Sequence, residues 1–405
     1  MAQFQYVGRH RTGRMTKGKL SSESRREAVL RLREKGIAVT HLQEAQTNLF
    51  SQDLDLTLGN PVKPAHFVIY LRQFATLIKA GVSIVDSTRI LAEQTESKAL
   101  RKALLQVEED LRGGTAFSDA ADKHPKVFPV LFVNMIRASE YSGTLDGSLN
   151  NLASTFEKQH VTRQKIKSAL AYPFVLLLAC AGTAVYLLTN VVPTFASMFE
   201  EFGAELPTIT KLVLGASEWM QSYWWLLLIL VAGCAGAVVF ANRHPVASYY
   251  MDYALLKMPV FGALLRKATI ARMARTLSSL FSSSVPILQA ITIVEKVVLN
   301  KVMANVLETS KQSLERGGML SEPFNKHWIF PPLVAQMVRI GEQTGSLDTM
   351  LSKVADFYEA EVDMAADRLK TLIEPFMVVV MAAVVGVIVM SIVVPMFDIY
   401  EHVRS

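Results

Sequence analysis

One motif occurs twice in the chain, and each copy leads into an apolar run. Glu140-Tyr141-Ser142-Gly143-Thr144-Leu145-Asp146 returns as Glu342-Gln343-Thr344-Gly345-Ser346-Leu347-Asp348, an offset of 342 − 140 = 202. The same offset carries Phe128-Pro129 to Phe330-Pro331, Tyr172-Pro173 to Glu374-Pro375 and Val192-Pro193 to Val394-Pro395. Upstream, Arg72 and Val82-Ser83-Ile84 correspond to Arg275 and Val285-Pro286-Ile287 at an offset of 275 − 72 = 203, the drift falling near the Gly113-Gly114 and Gly317-Gly318 turns. A long-period duplication means an architecture built from two copies of one supersecondary unit. Here the duplicated object is a polar module with its own apolar stalk.

Of the 405 residues, 51% are hydrophobic, and the excess is concentrated in three places. Residues 173–192, 223–241 and 375–394 carry no charged side chain. Each can cross a hydrocarbon core of about 30 Å as a helix. The first residues, Met1-Ala2-Gln3-Phe4-Gln5, lack the basic and apolar stretches of a cleavable signal, so insertion is expected from the internal spans. Charge sets the expected orientation. Lys158, Arg163, Lys165 and Lys167 precede the first span, opposed only by Glu157. Beyond it, Glu200, Glu201, Glu205 and Glu218 face a single Lys211, and after the second span Arg243, Lys257, Arg266, Lys267, Arg272 and Arg275 face only Asp252. The positive-inside rule then puts the N-terminal half and residues 242–373 in the cytoplasm. The middle span has no counterpart inside either repeat and returns the chain, so both copies share one side. The isoelectric point near 9.1 follows from this topology and an anionic inner surface. Nucleic-acid binding is not expected, since the basic residues cluster beside spans without interleaved aromatic platforms.

Residues 1–46 read as a small α/β unit. It has a strand over residues 4–7, a basic turn-rich loop from Gly8 to Gly18, a helix from Ser22 to Lys35 and a short strand over residues 37–39. Residues 47–64 read as a linker. Each repeat reads as about six helices. In the first, Phe67, Leu71, Phe74, Leu77 and Ile78 form a 3.6-residue stripe, Gly81 ends that helix, and Ser83 caps the next. The sixth helix runs on through Lys167 into the span. The expected order is a bundle at 65–170, a span at 171–193, an extracytoplasmic loop at 194–221 and a span at 222–241. A second bundle follows at 242–373, then a span at 374–394 and a tail at 395–405. The fold class is an all-α membrane protein with two repeated helical bundles, three transmembrane helices and the N-terminal α/β unit.

Chemical motifs are few. Gly13-Arg14-Met15-Thr16-Lys17-Gly18-Lys19-Leu20 matches G-x-x-x-x-G-K, but Leu20 stands where a phosphate-binding loop needs a hydroxyl for Mg²⁺; it reads as a basic β-turn. Cys180 and Cys234 lie inside spans as small apolar residues. The eight histidines show no metal-ligand spacing, so no metal, cofactor or catalytic residue is expected. In the repeated motif, Gly143 and Gly345 supply a left-handed turn, Thr144 and Ser346 cap the following helix, and Leu145 and Leu347 face the core. That helix punctuation does not account for Glu140 and Glu342, which need a further role: a salt bridge, a partner surface or a cation. With Arg72 and Arg275, these residues form the candidate partner or hinge set. Spacings of small residues (Ala232 with Gly236, Gly233 with Ala237, Ala382 with Gly386) suit close helix packing, within one subunit or between two.

The membrane-approach sequences are the most specific signal. They are Lys165-Ile166-Lys167-Ser168-Ala169-Leu170-Ala171-Tyr172-Pro173 and Arg368-Leu369-Lys370-Thr371-Leu372-Ile373-Glu374-Pro375, each closed by Val-Val-Pro. With the stretch from Arg72, the Gly81-Val82 turn and Phe4-x-Tyr6-x-Gly8, they resemble the inner-membrane platform family of type IV pili and type II secretion (the PilC and GspF proteins) along essentially the whole chain. The resemblance implies a non-enzymatic platform in the bacterial inner membrane that couples a cytoplasmic hexameric ATPase to insertion or removal of pilin subunits. It also implies contacts with pilins or pseudopilins, with other inner-membrane assembly proteins and with further copies of the chain. The calcium site of some family members is not carried over, because position 144 is threonine. The N-terminal unit and linker look most like the pilus branch, with a secretion or competence pseudopilus as the alternative. A permease subunit driven by an ATPase, the alternative of another class, would need polar broken spans. These spans offer only Thr183, Thr189, Asn190 and Ser391.

Overall fold

The computed structural model describes residues 2–10, 15–22, 29, 37–44, 61–201, 208–259 and 261–404, in two units divided at residues 59 and 60. The first unit holds a three-stranded antiparallel sheet of β1 (Ala2–His10), β2 (Met15–Ser22) and β3 (Ile37–Glu44), in the order β2-β1-β3. Two expectations change here. Gly8 pairs with Thr16 and Gly18 with Tyr6, so the ends of the expected basic loop are ladder positions, and glycines read as turn formers sit inside strands. Thr16 to Leu20 is therefore extended and paired, a backbone that cannot curl around a phosphate. The third strand also runs well past the expected residue 39. The helix expected from Ser22 to Lys35 lies outside the described residues apart from Ser22, the last residue of β2, and Val29, which is helical. Most of the linker, residues 47–60, also lies outside them.

The second unit is helical. Its first repeat consists of α1 (Pro64–Lys79), α2 (Ile84–Gln94), α3 (Lys98–Arg112), α4 (Phe117–Asp122), α5 (Val130–Ser142) and α6 (Leu145–Tyr186). After a π-helical turn at Leu187–Val191 come α7 (Val192–Glu201), α8 (Thr208–Arg243) and α9 (Pro245–Lys257). The second repeat is α10 (Phe261–Ser282), α11 (Ile287–Val297), α12 (Lys301–Glu315), α13 (Ser321–Lys326), α14 (Pro332–Thr344) and α15 (Leu347–Arg404). Local chemistry sets these boundaries. Pro129 and Pro331 stand just before α5 and α14, while Ser83, Ser97 and Asn300 accept backbone N–H bonds at the starts of α2, α3 and α12. The stripe on α1 behaves as its period requires: Phe67, Leu71 and Phe74 are buried, and Leu77 and Ile78 pack against them. The segment expected as a loop at 194–221 is largely helix, since α7 extends to Glu201 and α8 starts at Thr208 with a kink at Tyr223 (φ −121°, ψ 17°).

The two repeats share one hydrophobic core. Leu149, Leu152 and Ala153 of α6 belong to the same buried cluster as Leu277 and Leu280 of α10 and Leu351, Val354 and Ala355 of α15. Helix α10 is the shared element. Its Thr276-Leu277-Ser278-Ser279-Leu280-Phe281-Ser282-Ser283 stretch turns small hydroxyls toward its neighbours. The Thr155 hydroxyl bonds that of Ser279, Ser148 donates to Ser283 at 3.4 Å, and Ser278 donates to the carbonyl of Asp348 at 2.8 Å. Nearer the apolar runs, Ala169, Leu264, Val362, Ala366 and Leu369 close the same three-helix contact.

Helices α6 and α15 continue without interruption into apolar segments, past Pro173 and Pro375. The three long apolar helices are almost bare inside the molecule, with 6%, 0% and 11% of their most hydropathic windows buried, so lipid must supply the contacts that protein does not. They meet at their distal ends, where Val192, Val213 and Ile388 pack together and Thr210 donates to the carbonyl of Ser391 at 2.9 Å. The glycines of the small-residue spacings do not pack inside this subunit: a Cβ at Gly233, Gly236 or Gly386 would meet nothing within 4 Å.

The repeats diverge at the turn after their first helix. Gly81 adopts φ +84°, and its counterpart Ser284 holds the same left-handed backbone at φ 59°. A residue with a Cβ costs about 1–2 kcal/mol in that region. Gly81→Ala is expected to destabilise the protein by about that amount, and Ser284→Gly to stabilise it by up to about 1 kcal/mol. Thermal unfolding of the detergent-solubilised protein checks both; a lower midpoint for Ser284→Gly refutes the strain.

Candidate functional site

The repeated motif is a turn that holds a short helix. Gly143 and Gly345 end α5 and α14 in the left-handed region, at φ 70° and 71°. One turn upstream, the Glu140 carboxylate accepts the backbone N–H of Phe117 at 2.7 Å and of Ser118 at 3.3 Å, the first two residues of α4. Glu342 accepts from Leu320 and Ser321 at the start of α13. Both carboxylates thus meet N–H groups that a helix start leaves without partners. Leu145 and Leu347 pack against the core as partly buried residues. The expected hydroxyl cap is not made. Thr144 sits at φ −107°, ψ 38°, away from the extended backbone that aims a capping oxygen, and its hydroxyl bonds Ser142 at 2.7 Å; Ser346 likewise bonds Thr344 at 2.6 Å.

Arg72 and Arg275 form a second repeated device. Arg72 of α1 grips Glu157 of α6 through Nε, at 2.7 Å, and through a terminal nitrogen, while Asn150 takes a third bond at 3.2 Å. Arg275 of α10 grips Glu359 of α15 at 2.9 and 2.8 Å, and its third bond goes to Ser352 at 3.4 Å. Asn150 and Ser352 share the 202 offset, as do Glu157 and Glu359. Each stalk helix is therefore clamped to the first helix of its own repeat by a two-pronged arginine–carboxylate pair. The second clamp is drier: the Arg275 side chain is 9% exposed against 43% for Arg72. Burial opposes the Arg275 charge, yet the bonds to Glu359 and Asp356 hold its guanidinium above the ordinary arginine range.

Lysines of α6 tie the two stalks together below the spans. Lys158 reaches Asp356 at 2.9 Å and Glu359 at 3.5 Å, and Lys165 pairs with Asp363. Asp356 also meets Arg275, so the second clamp and the cross-stalk bridge are one network. Repeat 1 has Ser154 where repeat 2 has Asp356, and repeat 2 has Ala360 where repeat 1 has Lys158. The bridge thus exists only across the pair. Lys167, Tyr172, Arg368 and Glu374 are exposed, Pro173 and Pro375 lie within their helices, and the Lys370 side chain lies outside the described part. The structure joins Arg72 and Arg275 to the stalks, and places Glu140 and Glu342 at separate capping sites.

A family model described as type II secretion system (T2SS), protein F, matches residues 70–193 and again 273–395, and its N-terminal domain model matches residues 1–43. The two matches reproduce the internal repeat, each running from the clamping arginine's helix to the end of a span. The chain belongs to the type II secretion system protein F family. Within it, the chain is 39% identical over 400 residues to the type IV pilus assembly protein PilC of Thermus thermophilus, covering 98% of both chains. It is 36% identical to PilC of Pseudomonas aeruginosa over 85% of this chain and 92% of that one. The type II secretion system protein F of the same organism is 32% identical over all of both chains.

Family membership and the three long apolar helices make the chain a multi-pass membrane protein. Glu157, Glu359, Asp356 and Lys158 were absent from the sequence-derived candidates, although Glu157 and Glu359 recur at the repeat offset and could have been found with Arg72 and Arg275. Glu140→Ala and Glu342→Ala are each expected to cost about 1–3 kcal/mol and to speed hydrogen exchange at residues 117–118 and 320–321. Unchanged exchange there refutes the capping role. Arg275→Ala, which leaves the Glu359 and Asp356 pair with Lys158 alone, is expected to cost about 3 kcal/mol, and Arg72→Ala under about 1 kcal/mol. Unfolding midpoints of the two variants in detergent test the difference, and equal losses would contradict it.

Proposed function

We propose that the chain is the inner-membrane platform of a type IV pilus assembly machine, with its helical repeats in the cytoplasm. The observation that carries this reading is mechanical continuity. Helices α6 and α15 each pass unbroken from the helical unit into an apolar span, and below the spans they are bonded to each other. A displacement applied to the helical unit therefore reaches both spans together. Such a part suits a device that receives work from a cytoplasmic hexameric ATPase and delivers it to pilin subunits at the membrane. The charge asymmetry around the spans supports the orientation, and the pilus assembly relatives support the pilus machine over the secretion pseudopilus. Exposed glycines on the spans suit contacts with pilin helices, with other assembly proteins or with a second copy of the chain.

The repeated turns offer the partner surface. Beside the capping Glu140, Tyr141 is 88% exposed, a large aromatic side chain of the kind that anchors interfaces. A photo-crosslinking residue at Tyr141 is expected to capture the ATPase in cells, and one at Phe376, exposed on the third span, to capture pilin. Deletion of the gene is expected to remove surface filaments while leaving secreted enzymes at normal levels. Retained filaments with lost secretion would transfer the chain to the secretion branch. Normal filaments and normal secretion would overturn the platform reading.

A further inference from the structure

Helices α6 and α10 run antiparallel beneath the spans and leave a cleft between them. Two adjoining cavities, of about 270 and 400 Å³, share Gln159, Arg163 and Arg272 in their walls. Arg272 is half-buried, and among the described residues neither its side chain nor that of Arg163 has an acceptor partner. Burial, and then repulsion from Arg163, push the Arg272 guanidinium below the ordinary arginine range. Three residues along the same helix, Arg275 is held in the opposite direction by its carboxylates. Lys126 and His160 line the first cavity and Lys167 the second, and the one carboxylate in either wall is Glu359. Both Glu359 oxygens are occupied, by Arg275 with Lys158 close by. Apart from Arg275, the cleft therefore gathers cations whose counter-charge does not come from the described chain, an arrangement that a bound anion would stabilise, most of all at the half-buried Arg272.

The walls narrow the kind of anion. Two arginines facing one space suit phosphate, which guanidinium groups bind through paired N–H donors. Toward the spans the wall turns apolar, through Ile166, Leu170, Ala268 and Ala271. Lys167 is the last charged residue before the first span. At 1.5 Å per residue, Arg163 lies about 12 Å below the start of the span at residue 171. That depth is reached by the headgroup layer together with a guanidinium extending toward it. A soluble phosphate has no use for the apolar wall, whereas a lipid does. We propose that this cleft holds the phosphate of an anionic phospholipid from the leaflet adjoining the helical unit, with its acyl chains beside Leu170 and the first span. The proposal is independent of which filament machine the chain serves.

Native mass spectrometry of the full-length protein in nonionic detergent tests it, with phosphatidylglycerol and phosphatidylcholine of matched chains as probes. Wild type is expected to retain phosphatidylglycerol about tenfold more strongly than phosphatidylcholine, and Arg163→Gln/Arg272→Gln to lose about that factor, the scale of a charge-assisted hydrogen-bonded contact. Arg272→Lys, which keeps the charge, should retain most of the preference. Arg163→Gln alone, at an exposed position, should lose part of it without affecting folding, and it decides the matter if the double variant unfolds. Equal retention by wild type and Arg163→Gln, or no preference for phosphatidylglycerol, overturns the proposal. Millimolar inorganic phosphate should leave the lipid adduct intact; displacement would assign the cleft to a soluble phosphate and overturn the lipid.

Discussion

A backbone that leaves water for hydrocarbon must carry its hydrogen bonds with it, and α6 and α15 meet that requirement by starting as core helices and simply continuing. Their first turns are fixed by the repeated glycine turn, their middles by the arginine clamps, and their far halves by lipid. Because nothing interrupts these helices, the way each is held below the membrane determines how its span is presented within it. The placement of the other helices follows. Helix α10 lies between the two stalks and buries hydroxyl-bearing small residues, which let three helices approach where larger side chains would hold them apart.

Duplication created two equivalent devices, and the differences between the copies turn two modules into one body. Arg72 and Arg275 perform the same grip, but only Arg275 is dry, and only its clamp includes an additional carboxylate, Asp356. That carboxylate is what Lys158 of the other copy reaches. Cross-repeat ion pairs, Lys158 with Asp356 and Lys165 with Asp363, whose counterpart positions (Ala360 with Ser154, Asp367 with Val161) cannot form the same pairs, give the two stalks a defined direction. One stalk donates cations and the other receives them, so the two cannot exchange roles.

Much of the helical unit was legible because its signals are local. Gly143, Gly345, Pro129, Ser83 and the α1 stripe each act within a turn or two of their own position, and the offset doubled every reading. What escaped depended on distant partners. Glu140 bonds main-chain N–H groups more than twenty residues away, and a main-chain donor leaves no trace in residue identity. The serine-rich face of α10 is buried against its neighbours; hydroxyl pairs satisfy each other without any apolar periodicity. Gly8 and Gly18 were read as turn formers, because nothing local distinguishes a glycine at a turn from one in a paired strand. The Arg–Glu clamps are legible in principle, since both partners recur at the repeat offset, but as complementary pairs more than eighty residues apart and not as a local motif.

The two spans that end in Val-Val-Pro are wound differently just before it. Residues 187–191 form a π-helical turn, with Thr189, Asn190 and Thr194 side chains donating to the carbonyls of Val185, Tyr186 and Asn190, whereas the corresponding part of α15 remains α-helical. A π turn accommodates one extra residue and so rotates everything beyond it by about 100° relative to an uninterrupted helix. Residues that match by sequence beyond that point therefore no longer point in matching directions. At its far side the molecule ceases to be a repeat: the two stalks leave their shared Val-Val-Pro turned in different directions, and a visitor arriving there would meet two unlike surfaces in place of a pair.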